Sequence, residues 1–170
     1  MRSSRLLIAV ALGFAGACAS AQTTGNINIS ANVTAACNIT VNPLAFGNYN
    51  SLSATALRQD TSVSITCSQG AVASIALGPG DNLTGAQRRM SNGAAGFLNY
   101  TLFKPSSTAA GAACAYTTAW GNGGAFGTAL VTTAATDLNA RTYNVCGEIA
   151  AGQSAPVASY TDIVVATVTF

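Results

Sequence analysis

The sequence contains no histidine. That removes the Ser-His-Asp and Cys-His forms of nucleophilic catalysis, and it takes away the usual nitrogen ligand of a zinc site. Charge is scarce as well. Asp, Glu, Lys and Arg make up 7% of the chain, against roughly 25% in an average soluble domain. The carboxylates Asp60, Asp81, Asp137, Glu148 and Asp162 are scattered. No spacing among them marks a glycosidase pair, and no cluster is dense enough for a calcium loop. Gly121-Asn122-Gly123-Gly124 lacks the lysine and the strand–helix context of a phosphate loop. Beyond the N-terminal segment no stretch of about 12 residues carries a convincing helical period. We therefore assign no catalytic, cofactor-binding or metal-binding residue, and we expect neither a cofactor nor an enzymatic activity.

The N-terminus has the layout of an export signal. Met1-Arg2-Ser3-Ser4-Arg5 is basic, Leu6 to Ala17 is apolar, and Ala19-Ser20-Ala21 has the small-x-small form that precedes cleavage. Residues 1–21 read as a signal peptide, which implies export to the periplasm and then to the cell surface. The apolar run is too short for a membrane span. Cys18 suggests a lipid-anchored form, but Ala15-Gly16-Ala17 lacks the bulky aliphatic residue expected three positions upstream. Removing Arg2 and Arg5 from the seven basic residues leaves five against five acidic ones. Such a surface has no electrostatic footprint for nucleic acid, and no later segment is apolar enough to be an integral membrane span. A near-neutral surface rich in Ala, Thr, Asn and Gly suits a protein that lives packed in an assembly.

After cleavage four cysteines remain, Cys37, Cys67, Cys114 and Cys146. An even number in an exported chain reads as two disulfides. Three pairings are possible, and the residues alone do not choose among them.

Most of the chain reads as strands and turns. Ile27, Ile29, Ala31 and Val33 alternate with Asn28, Ser30, Asn32 and Thr34, the period of a half-buried strand. Similar alternation marks 38–41, 62–67, 73–77, 98–103, 141–146 and 163–170, with Arg88-Arg89-Met90-Ser91 as a further strand. Gly78-Pro79-Gly80-Asp81-Asn82 and Asn92-Gly93 are turn signals. Many short strands, frequent turns and two disulfides point to an all-β sandwich. Phe46, Tyr49, Tyr100, Phe103, Trp120, Tyr143 and Tyr160 could line a carbohydrate site, but core anchoring with a hydrogen-bonding tip is the simpler use.

An ordered set of segments resembles the spore coat protein U domain family. Cys37 is followed by Phe46-Gly47-Asn48-Tyr49. Arg89-Met90, Leu98 to Phe103 and Trp120-Gly121 come next, then Gly147-Glu148-Ile149-Ala150-Ala151-Gly152-Gln153. Tyr160-Thr161-Asp162 and the alternating Val164, Ala166, Val168 and Phe170 close the pattern. Cys114 and Cys146 depart from it, and we read them as an additional disulfide. The resemblance implies the pair Cys37–Cys67, and so leaves Cys114–Cys146.

The resemblance also implies an immunoglobulin-like, pilin-type β-sandwich that is incomplete and is completed by a donor strand. Residues 22–36 would then be the N-terminal donor-strand extension, with Ile27, Ile29, Ala31 and Val33 entering a neighbour, and residues 37–170 the pilin domain. The implied function is a structural subunit of an extracellular pilus or coat, assembled by strand exchange. The implied partners are identical or related pilin subunits, a periplasmic chaperone that docks on the strand carrying Val164, Ala166, Val168 and Phe170, and an outer-membrane usher. The competing function is a secreted carbohydrate- or surface-binding adhesin module. A two-domain tip adhesin would need a second domain, which a mature chain of this length is not expected to hold.

Overall fold

The structure is a computed structural model and describes residues 20–170; the proposed signal peptide lies almost wholly outside the described residues. The chain divides into two units, the second running from Val33 to Phe170. The described part of the first unit, residues 20–32, forms no strand and is exposed throughout.

The second unit carries nine strands: β1 (Cys37–Val41), β2 (Leu57–Cys67), β3 (Ser74–Leu77), β4 (Arg88–Ser91), β5 (Phe97–Pro105), β6 (Cys114–Ala119), β7 (Leu130–Val131), β8 (Arg141–Ile149) and β9 (Ala166–Thr169). One short 3-10 turn, Gly124–Phe126, is the one helical turn among the described residues, which are otherwise all-β. The larger sheet runs β1-β2-β8-β5, and the far edge of β5 pairs first with β4 and then with β6, whose pairing shifts register between Phe103 and Pro105. The smaller sheet is β7-β3-β9. All these pairings are antiparallel.

Alternation decides which residues fill the space between the sheets. Val63, Ile65 and Cys67 of β2, Ile75 and Leu77 of β3, Leu98, Tyr100 and Leu102 of β5, and Tyr143, Val145 and Ile149 of β8 all point inward and are buried. Trp120 is wholly buried among them, and its indole N–H donates to the Ile75 carbonyl at 2.8 Å. That bond removes the cost of hiding an indole donor and ties the end of β6 to the opposite sheet.

Both disulfides staple this frame. Cys37 and Cys67 face each other across the β1–β2 ladder with Cα atoms 4.1 Å apart. Cys114 of β6 joins Cys146 of β8 across 5.6 Å. The pairing is the one the resemblance implied.

The strand readings differ in several places: β2 starts five residues earlier than 62–67, at Leu57, and β8 runs on past 146 to Ile149. Residues 26–34 alternate but form no strand, and the first strand begins at Cys37. Alternation records which face is apolar, whereas a strand also needs a neighbour to complete its ladder. The last strand is shorter than 163–170 and spans Ala166–Thr169. β6 and β7 have no counterpart in the sequence reading: Tyr116 (φ 54°) breaks the alternation inside β6, and β7 is two residues long, too short to show one.

Candidate functional site

Two of the sheet edges, β1 and β9, flank an opening in the sandwich. Among the described residues β1 is hydrogen-bonded to β2 alone, and β9 to β3 alone. Between these two edges the core is open. A cavity of about 330 Å³ is walled by Val41 and Leu44 on the β1 side and by Val164 and Ala166 on the β9 side, with Val63, Leu102 and Val145 at its floor. A second cavity of about 710 Å³ lies beside it, lined by Phe46, Tyr49, Leu98, Ile149, Pro156 and Tyr160. The two share Leu44, Phe46 and Met90, so they form one groove with a narrow and a wide part. A row of apolar core side chains reached from outside, between two unpaired sheet edges, is the arrangement that accepts an added strand.

The mouth is shaped by a glycine. Gly147 sits in β8 under the chain that follows β1, and a Cβ there would strike Leu44 and the Phe46 ring. Its bare backbone lets both side chains lie flat on the sheet and line the groove. Phe46 also packs against Tyr100, with ring centroids 6.2 Å apart. Tyr49 fixes the opposite rim: its hydroxyl donates to the Ala150 carbonyl at 2.9 Å and accepts from the Gln153 N–H at 2.8 Å. Gln153 in turn bonds both backbone groups of Asn99 on β5.

Asp162 is the one charged residue in the lining. The Asp162 carboxylate accepts a hydrogen bond from the Tyr100 hydroxyl at 2.5 Å. It also accepts from the backbone N–H groups of Asp81 and Asn82 at 2.9 and 3.2 Å, and from the Asn82 amide at 3.1 Å. Burial and the neighbouring carboxylate raise the Tyr100 phenol far above its usual range, so it stays a donor. Beneath lies Arg88, which is buried. Burial lowers its pKa, while Tyr100 and Asp162 act the other way. Its guanidinium donates to the Leu77 and Gly78 carbonyls.

The residues proposed as donors stand clear of solvent protection. Ile27, Ile29 and Val33 are 86–91% exposed, an unusual cluster for large apolar side chains. Of the C-terminal set, Val164, Ala166 and Val168 pack against the core, whereas Phe170 lies past the end of β9 and is more than half exposed. The aromatic candidates for a carbohydrate site divide differently. Trp120, Tyr143 and Tyr100 belong to the core, Phe46, Tyr49 and Tyr160 line the groove, and Phe103 packs edge-on against Tyr116 on β6.

Leu44, Met90, Leu102, Val145 and Asp162 belong to the groove; the sequence places Met90, Leu102 and Asp162 in family motifs and Val145 in a strand, and gives none of the five a role in a groove. Alternation marks Leu102 and Val145 as core. Only the topology shows that the core is uncovered above them.

Comparison with known proteins gives a family match and a solved structural neighbour. The Spore Coat Protein U domain matches residues 23–167. A solved chain is similar over 81% of this one, with a TM-score of 0.55 and 25% identity. It comes from the crystal structure of the CsuC-CsuE chaperone–tip adhesion subunit pre-assembly complex of the archaic chaperone-usher Csu pili of Acinetobacter baumannii. The match covers 40% of that chain, so this protein spans about two fifths of its length. No curated protein matches the sequence. Among the described residues no helix is long and apolar enough to cross a membrane.

Proposed function

Because the chain belongs to the Spore Coat Protein U domain family over residues 23–167, we propose that it is a non-enzymatic structural subunit of an extracellular fibre or coat. Each subunit lends residues 22–36 to the groove of a neighbour. The observation that carries this reading is the pairing of an open apolar groove with an exposed apolar extension on one chain. From Ile27 to Val33 an extended strand reaches about 20 Å and sets four side chains on one face. Full burial of each Ile or Val contributes about 1.5–3 kcal/mol, and the unpaired edges of β1 and β9 offer the backbone partners that the extension lacks by itself.

The same exposed groove makes an isolated subunit prone to aggregate. That supports a chaperone as the first partner in the periplasm, docking along Val164, Ala166, Val168 and Phe170. An outer-membrane usher and further subunits follow. Export through the signal at residues 1–21 belongs to the same reading.

The test is capture of a synthetic peptide. The mature chain, with its disulfides intact, is unfolded in urea and refolded with an excess of a labelled peptide of residues 22–36. We expect about one peptide per chain to remain bound through gel filtration, and a scrambled peptide to be lost. Equal loss of both peptides would contradict strand donation.

A further inference from the structure

The receiving edge of the groove is held by little regular structure. β9 is four residues long and pairs with β3 alone among the described residues. Residues 162–165, which lead into it, are not part of a strand, and Asp162, Ile163 and Val164 among them wall the groove. A segment so placed needs fixing from outside its own ladder. Three polar anchors supply this. Ser91 and Thr161 exchange both backbone hydrogen bonds at 2.9 Å, and the Gly78 N–H donates to the Val165 carbonyl at 2.8 Å.

The third anchor is the Asp162 carboxylate. It gathers four donors, from the 81–82 backbone, the Asn82 side chain and Tyr100 of β5. A carboxylate in an apolar groove is costly to bury unless its lone pairs are already taken. Here Oδ1 accepts three hydrogen bonds and Oδ2 one, so covering the groove would cost less solvation than for a bare carboxylate. The turn that supplies the backbone donors is built around the carboxylate. Gly80 has φ 86°, and a Cβ there would run into the Asp162 oxygens.

We propose that Asp162 is a positioning residue for strand uptake: it pins the receiving edge, residues 161–169, to the 78–82 turn and to Tyr100 before a strand enters. The proposal rests on the strand-donation reading. It adds that the edge is pre-organised by one side chain, in addition to its packing against the core. Tyr100 extends the effect, because the ring that donates to Asp162 also packs on Phe46 at the groove mouth.

Local hydrogen exchange tests this on the mature chain. In Asp162→Asn, amides within 161–169 and 78–82 should exchange at least tenfold faster, while those of β2, β5 and β8 keep their rates. With the residue 22–36 peptide bound, the difference should shrink, because the entering strand supplies the missing constraint. Peptide capture during refolding should slow by a similar factor. Tyr100→Phe removes one donor and keeps the ring, so it should show the same pattern at smaller amplitude. That variant decides the matter if Asp162→Asn does not fold. Unchanged local exchange, or an increase spread evenly over both sheets, would overturn the proposal. If the unaltered chain captures no peptide, strand donation fails, and the exchange comparison still decides whether Asp162 holds the edge.

Discussion

Replacing Ile27 and Ile29 together by Asp is expected to abolish polymer while leaving a folded, secreted subunit. Both side chains are exposed in their own chain, so the substitution removes no buried contact there. In a neighbour's groove each Ile would bury its full apolar surface, so about 3–6 kcal/mol is lost from the pair. Two carboxylates would then be placed against Leu102, Val145 and Ala166, at a further cost of several kcal/mol. At 1.4 kcal/mol per factor of ten, the loss exceeds about a thousandfold in subunit affinity. The check is the ratio of folded, disulfide-bonded subunit to fibre in surface extracts. Loss of the subunit itself would show instead that residues 24–32 belong to an internal strand.

The disulfides should differ in what they protect. Cys37→Ser with Cys67→Ser opens a link across 30 residues, and Cys114→Ser with Cys146→Ser one across 32. On the chain-entropy account each removal costs about 3–4 kcal/mol, a large part of the 5–15 kcal/mol typical of a domain. Urea unfolding should therefore move by similar amounts in both pairs. Strand uptake should not. Cys37–Cys67 fastens β1, a wall of the groove held by one neighbouring strand, so peptide capture should fall steeply even where the chain still folds. Cys114–Cys146 fastens β6 to β8 on the larger sheet, outside the groove lining, so folded chains should capture peptide as before. Equal loss of capture in the two pairs would remove the special place given to β1.

How much of this was legible in the residues depends on what each feature requires. Inward alternation in β2, β3, β5 and β8 identifies the core directly, because a period of two is a local property. The exposed apolar face of residues 27–33 is equally local, but its destination is not. The same alternation fits an internal strand, and the weight for donation came from the family resemblance. The groove could not be read from the residues, since it is a property of strand order. Val41, in β1, and Val164, just before β9, both line it because β1 and β9 are edges of different sheets. Gly147 was visible only as part of a motif, and its reason appears once Leu44 and Phe46 are seen above its backbone. Asp162 likewise is visible only as a scattered carboxylate and the end of a motif, and its reason appears once the fold brings Asn82 and Tyr100 to it. β6 escaped notice because Tyr116 takes a left-handed backbone angle inside it, and its hydroxyl is tied to Asp60.

The most direct measurement is the behaviour of the surface-extracted protein in SDS without heating and without reductant. A strand inserted in a dry groove exchanges slowly, so subunits should run as a ladder at integer multiples of the mature mass. Boiling should collapse the ladder to one band with both disulfides still closed, showing that the links between subunits are not covalent. The Ile27→Asp, Ile29→Asp variant should give the single band without heating. A single band from the unaltered protein before heating, at a concentration where fibres are visible by electron microscopy, would contradict assembly by strand donation.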